Sequence, residues 1–184
     1  MTTGSDNLTP AMKQFHLFKQ KYPDCILFFR MGDFYETFYE DAKVASRVLG
    51  IALTTRDRNT DHPVPLAGVP FHSAETYIAR LLRAGYKVAI CEQMEEAALA
   101  KGLVRRAVTE VLTPGTATTP GLLPEREGHY ALCVAAQGGE PPGTRLGWAY
   151  LDFSTGEFGL GERRATEIPD VVAAWAPREL FLPR

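Results

Sequence analysis

A chain of 184 residues with 45% hydrophobic and 23% charged side chains has ordinary globular composition, enough for one full core and a second, smaller one. It holds no run of about 18 apolar residues, and its polar start, Met1 to Pro10, lacks the cationic-then-apolar order of a secretion signal; a cytoplasmic chain without membrane association is expected. The formal net charge of -2 excludes a global basic field for phosphate binding, and division helps little: 14 Lys and Arg against 13 Asp and Glu up to Thr113, then 6 against 9. The three cysteines, Cys25, Cys91 and Cys133, are far apart and never in a C-x-x-C pair, so buried free thiols are expected.

Thr9-Pro10 reads as an N-cap followed by proline in the first turn, and Met12, Phe15 and Phe18 continue at helical spacing, predicting a helix that ends near Pro23. The run Ile26 to Phe29 begins a buried strand, and strand-favouring residues continue through Phe34, Tyr35 and Thr37. Val44, Ala45, Val48 and Leu49 then fit a helix from about Glu40 that stops at Gly50. Ile51 to Thr55 reads as a short strand, Arg56 to His62 as a loop, and Val64 to Val69 as a second short strand. A helix capped by Ser73 runs to Gly85, followed by strands at Lys87 to Cys91 and Ala107 to Leu112 with a polar stretch between them. Several connections are too short for helical crossovers, which predicts a mixed rather than an all-parallel sheet.

Thr116 to Pro124 has linker composition, and the grammar then changes. His129 to Ala136, Leu146 to Phe153 and Glu157 to Gly161 read as strands, with turns at Gly138 to Gly143 and Ser154 to Gly156. A helix over Thr166 to Trp175 and a strand at Glu179 to Leu182 follow.

The most informative stretch is Arg30 to Asp41, RMGDFYETFYED. Read as a helix, Asp33 would be its N-cap and Glu36 the capping-box partner, with Phe34 in the core. Read as a strand, residues two apart share a face, which puts Arg30, Gly32, Phe34 and Glu36 on one side and Asp33, Tyr35 and Thr37 on the other. Local residue chemistry leaves both readings open.

Phe34-Tyr35-Glu36 within Gly32 to Glu36 resembles the Phe-x-Glu mismatch-reading motif of the MutS family of bacterial DNA mismatch-repair proteins. Pro65 to His72 (PLAGVPFH), Val88 to Gln93 (VAICEQ) and Val111 to Thr116 (VLTPGT) are similar to family segments in the same order. The resemblance runs from about Leu8 to the C-terminus and is stronger before Gly121. It implies an α/β (α+β type) mismatch-recognition domain over 1–115, a mixed sheet with flanking helices. A linker over 116–127 and the first half of a ribonuclease-H-like α/β connector domain over 128–184 would follow.

The implied ligand is mismatched double-stranded DNA. Phe34 would enter the minor groove as a wedge, unstacking a step that a mismatch has already weakened. Glu36 would accept a hydrogen bond from the displaced base, repel phosphates on matched DNA, and be partly protonated when the phosphate field raises its carboxyl pKa. Arg56 and Arg58 lie in the loop that the family brings near DNA, though both also suit a solvated loop. Leu66 matches a position packing near the distorted step, with a buried strand residue as the alternative.

The chain contains no G-x-x-x-x-G-K-[ST] stretch, so neither cofactor nor catalysis is expected in it. ATP and magnesium are expected only in a C-terminal ATPase domain, and dimerisation only in a full-length protein, this piece being monomeric. A connector would contact the partner protein MutL, which makes an interaction module the rival reading. A ribonuclease-H-like nuclease is the other; Asp152 is its solitary strand carboxylate, and such an Asp also suits turn chemistry. The four histidines, His16, His62, His72 and His129, show no metal-ligand spacing.

Overall fold

The structure, a computed structural model, describes residues 8–56, 63–95, 102–117, 128–136 and 145–183. They divide into two units, Met1–Leu112 and Thr113–Arg184. Helix α1 (Pro10–Lys21) starts as its sequence predicts, with Thr9 Oγ1 accepting the Met12 amide at 3.4 Å and Pro10 in the first turn, where no amide is needed. Its buried stripe, Met12 and Phe15, packs on one face of the first sheet against Leu27, Phe29, Phe38 and Cys91.

The expected single extended run from Ile26 to Thr37 is instead a hairpin. Strands β1 (Cys25–Met31) and β2 (Phe34–Phe38) pair antiparallel, with Phe29 opposite Glu36, Arg30 opposite Tyr35 and Met31 opposite Phe34. Gly32 makes the reversal, its φ of 59° lying in the left-handed region that favours glycine. Residues 34 to 38 are extended, so Phe34 and Glu36 share a face and the capping-box alternative fails. Opposed residues across a ladder also share a face, and this ladder pairs odd-numbered with even-numbered positions. Arg30 therefore joins Tyr35 on the far face, a correction to its expected place beside Phe34.

The first sheet has the order β3-β4-β2-β1-β5-β6. It comprises, besides the hairpin, β3 (Thr54–Arg56), β4 (Val64–Pro70), β5 (Lys87–Gln93) and β6 (Arg106–Leu112). Only β1 and β5 run parallel, which makes the sheet mixed as predicted. Helix α2 (Tyr39–Leu49) ends at Gly50, φ 66°, and brings Ala45 and Leu49 against Phe28, Thr37, Ala67 and Val69 on the face opposite α1. Helix α3 (Ala74–Arg83) buries Ile78, Leu81 and Leu82. Ser73 stands at its N-cap position, but the hydroxyl donates to the Pro70 carbonyl at 3.3 Å instead of capping.

Two expectations here need correction. The strand expected at Ile51 to Thr55 is confined to β3, because only Thr54, Thr55 and Arg56 reach ladder register with β4. Arg56 is consequently a strand residue, not a loop residue; positions 57–62, with Arg58 and His62, lie outside the described residues.

In the second unit β7 (Tyr130–Ala135), β8 (Arg145–Asp152) and β9 (Phe158–Arg164) form an antiparallel meander. After helix α4 (Ile168–Trp175), β10 (Glu179–Phe181) joins parallel to β7, giving the order β10-β7-β8-β9. Ile168 and Val171 of α4 close over Leu132 and Val134, and Trp175 stacks on Tyr150 with ring centroids 3.8 Å apart. Gly159 and Gly161 make room for this layer, since a Cβ on them would lie 2.4 Å from Tyr150 and 2.9 Å from Trp148. The expected linker begins inside this unit: Ala117 is buried, and a Cβ on Gly115 would meet Glu179 at 2.7 Å. Positions 118–127, the rest of that segment, and the turn expected at Gly138 to Gly143 lie outside the described residues.

Asp152 is 2% exposed and its carboxylate is fully engaged. Oδ1 accepts from the amide and hydroxyl of Ser154 at 2.8 and 2.6 Å, and Oδ2 from the His129 amide at 3.1 Å. Burial pushes this carboxyl up, but the donations outweigh it and hold the pKa below the ordinary 3.8. A carboxyl with a depressed folded pKa stabilises above its unfolded value and loses that contribution as pH falls through the folded one. Asp152→Asn is therefore expected to cost about 1–3 kcal/mol at neutral pH and to flatten the loss of stability below the unfolded carboxyl value. Thermal denaturation against pH, followed by the fluorescence of Trp148 and Trp175, measures both; a variant as stable as wild type at pH 7 would refute the turn assignment.

Candidate functional site

Phe34 and Phe38 lie on one face of one strand, yet Phe38 is 1% exposed and Phe34 47%. The hairpin carries Phe34 past the cover of α1, whose Phe15 ring meets Phe38 at 4.9 Å. An exposed phenylalanine at a strand end moves unless its backbone is held, and here the hairpin tip is held from both faces. On the α2 side the Arg30 guanidinium sits 3.5 Å from the Phe71 ring centroid and 3.6 Å from Glu92, which also accepts the Tyr35 hydroxyl. Arg30 Nε donates to the Gly32 carbonyl, and the Phe71 amide donates to the Asp33 carbonyl at 2.9 Å, so both turn residues are fastened. On the α1 side Arg106 reaches over from β6, lies 4.7 Å above the Phe29 ring, and donates Nε to the Arg30 carbonyl at 2.9 Å.

Glu36 is half-buried and faces Gly68 across the β2–β4 ladder. Burial raises its carboxyl pKa above the ordinary range, and the charges of Arg56 and Arg106 pull it back part of the way. The shift is thus present in the protein alone, with a different cause from the phosphate field named in the sequence reading. Arg106 responds in kind: burial lowers its pKa, and Cys91 and Glu36 oppose that. Glu36 is thus a single carboxylate under the influence of two guanidinium groups, on the face that also carries Phe34 and Leu66.

Phe34, Glu36, Leu66 and Gly68, with Ala52 and Thr54, line an open concavity of roughly 210 Å³. Leu66 is partly buried, packing against the α1-side core from the face that also carries Phe34 and Glu36. Of the five residues singled out from the sequence, four gather on this face: Phe34, Glu36, Leu66 and Arg56, the last within electrostatic reach of Glu36. Arg58 lies outside the described residues. Sequence reasoning missed Arg106, Arg30 as a brace, Phe71 and Gly68. A glycine inside a strand pattern was the one available signal, since such a position marks a bulge or a close approach.

Among the described residues there is no cluster of His, Cys, Asp or Glu able to hold a metal ion, and no helix long and apolar enough to cross a membrane. Cys25 and Cys91 are buried thiols whose pKa values burial pushes up, that of Cys91 to about 12. Cys133 is exposed, contrary to expectation, because its strand alternates and places it on the face away from α4. His72 sits in a turn with its ring edge-on to Phe71 at 5.9 Å. Both Asp152 oxygens accept backbone amides, Oδ1 from Ser154 and Thr155 in the turn and Oδ2 from His129.

A family model described as MutS domain I matches residues 9–120. The DNA mismatch repair protein MutS of Oleidesulfovibrio alaskensis is 50% identical over 183 residues, 99% of this chain and 20% of that protein. The protein of the same name from Staphylococcus carnosus is 51% identical over 152 residues, 83% of this chain and 17% of its own length. The one from Symbiobacterium thermophilum is 46% identical over 179 residues, 95% and 20% respectively. The chain spans about a fifth of the length of these curated relatives.

Proposed function

The chain belongs to the MutS family, and from that premise we propose that it is the mismatch-reading part of a longer DNA mismatch-repair protein. One observation carries the reading: a half-exposed Phe34 on a hairpin tip held from both faces, beside a half-buried Glu36 on the same face. A rigidly mounted aromatic ring can enter the minor groove between base steps without first being ordered, and unstacking costs least where a mismatch or unpaired base has loosened the step. Glu36 accepts a hydrogen bond from the base so displaced. On matched duplex no base moves to meet it, and its charge opposes the phosphates. Arg56 and Arg58 pair with backbone phosphate and Leu66 packs beside the distorted step.

In this reading residues 1–115 are the mismatch-recognition domain, 116–127 a linker, and 128–184 the first half of a ribonuclease-H-like connector. Exposed Phe158, Leu160 and Phe181 suit the connector's contact with the partner protein MutL. ATP and magnesium act in a separate ATPase domain, and the longer protein dimerises. Fluorescence anisotropy at low salt tests the core of this: duplexes with one mismatched or unpaired base should be held more tightly than the matched duplex. Equal retention of both by the longer protein would leave a protein-interaction module as the reading.

A further inference from the structure

Glycine inside a strand weakens it, because it loses the most backbone freedom on folding and brings no side chain to pack. Gly68 stands in the interior of β4, directly opposite Glu36. Neither usual demand for glycine applies to it. Its φ is not in the left-handed region, and the ladder from Phe34–Pro70 to Phe38–Leu66 is continuous, without a bulge. Nor does packing exclude a side chain. A Cβ there would meet the Tyr35 carbonyl oxygen at 3.5 Å, Glu36 Cγ at 3.8 Å and Phe34 Cδ1 at 3.9 Å, all ordinary van der Waals contacts. That Cβ would stand between the two proposed reading residues, on the floor of the concavity they line with Ala52 and Thr54.

The free protein therefore tolerates a methyl group at this position, and the group that does not is one that enters from outside. We propose that Gly68 is a specificity-determining residue: its bare Cα is the floor against which the displaced base lies while Phe34 wedges and Glu36 accepts. This rests on the reading of Phe34 and Glu36 given above and adds a size limit to it. The limit falls on the displaced base because matched duplex sends no group into the concavity. A side chain at this position competes with that base for the same volume, and a purine loses more than a pyrimidine.

The test is binding by the longer MutS protein carrying this segment, with Gly68→Ala, Gly68→Val and Phe34→Ala compared against wild type on matched, unpaired-pyrimidine and unpaired-purine duplexes. Gly68→Val should lose about tenfold or more in affinity for the unpaired-base duplexes, more for the purine than the pyrimidine, with Gly68→Ala intermediate. Matched-duplex affinity should stay within about twofold, as for a surface change outside the phosphate contacts. If the valine variant melts early, the alanine variant, whose methyl makes only ordinary van der Waals contacts in the free protein, carries the test alone. Wild-type affinities for every duplex, or equal losses on matched and unpaired duplexes, would overturn the assignment. Should Phe34→Ala keep full mismatch preference, the wedge reading falls and this inference with it. Loss of preference in Phe34→Ala beside an unaltered Gly68→Val overturns the inference alone.

Discussion

Phe38→Ala is expected to destabilise the first unit by about 3–5 kcal/mol, whereas Phe34→Ala, the same truncation four residues away on the same strand face, should cost under about 1 kcal/mol. Phe38 is 1% exposed and wedged among Phe15 and Phe29, with ring centroids at 4.9 and 6.4 Å, so its removal leaves a cavity that the sheet and α1 cannot collapse. Phe34 is 47% exposed, and the hairpin beside it is held by other residues' bonds, from Arg106 to the Arg30 carbonyl and from the Phe71 amide to the Asp33 carbonyl. On DNA the ranking should invert. Phe34→Ala is expected to abolish the preference for mismatched over matched duplex while the protein remains folded. Thermal melts of both variants decide the first half, since a loss of about 3 kcal/mol lowers the midpoint of a domain this size by more than roughly 10 °C. A Phe34 variant melting as early as the Phe38 variant would place Phe34 in the core and remove the wedge.

Glu36→Gln should bind matched duplex more tightly than wild type, change little at a mismatch, and so lose about 1–2 kcal/mol of discrimination, the scale of one charge-assisted hydrogen bond. The gain on matched DNA should shrink as salt rises, because screening already weakens the repulsion that the amide removes. The structure adds a second readout that needs no DNA. Burial raises the Glu36 pKa, against the pull of Arg56 and Arg106. A carboxyl whose folded pKa is raised favours folding fully below its unfolded value, ordinarily 4.5, and that contribution disappears as pH rises through the folded value. At neutral pH the ionised carboxylate therefore opposes folding, and Glu36→Gln should raise the melting temperature there, with the two proteins converging below about pH 4.5. A glutamine variant less stable than wild type at pH 7 would mean that Glu36 is held by Arg56 and Arg106 as a structural pair. Unchanged matched-duplex affinity at low salt would limit Glu36 to an attractive contact.

Several features were legible in the residues alone because the interactions that specify them are local. The α1 cap is one, since Thr9 and Pro10 act on the turn that follows them. The stops at Gly50 and Gly85 are others, as is the turn chemistry of Asp152, which bonds residues two and three positions away. The order of the four MutS-like blocks carried the family. Residue chemistry did not by itself choose between helix and strand for Phe34 and Glu36, because Asp33 and Glu36 also satisfy a capping box. Ladder pairing with β1 on one side and β4 on the other overrides that local preference.

Tertiary structure alone decided how the site is mounted. The reversal at Gly32 moved Arg30 to the far face, register with β4 put Gly68 opposite Glu36, and the β5–β6 pairing delivered Arg106 to the Arg30 carbonyl, 76 residues away in the chain. Each depends on which strands lie side by side. A one-residue change of register would turn Arg30 and Arg106 to the other face, and it is the burial of the sheet's apolar residues against the helices that holds the register observed.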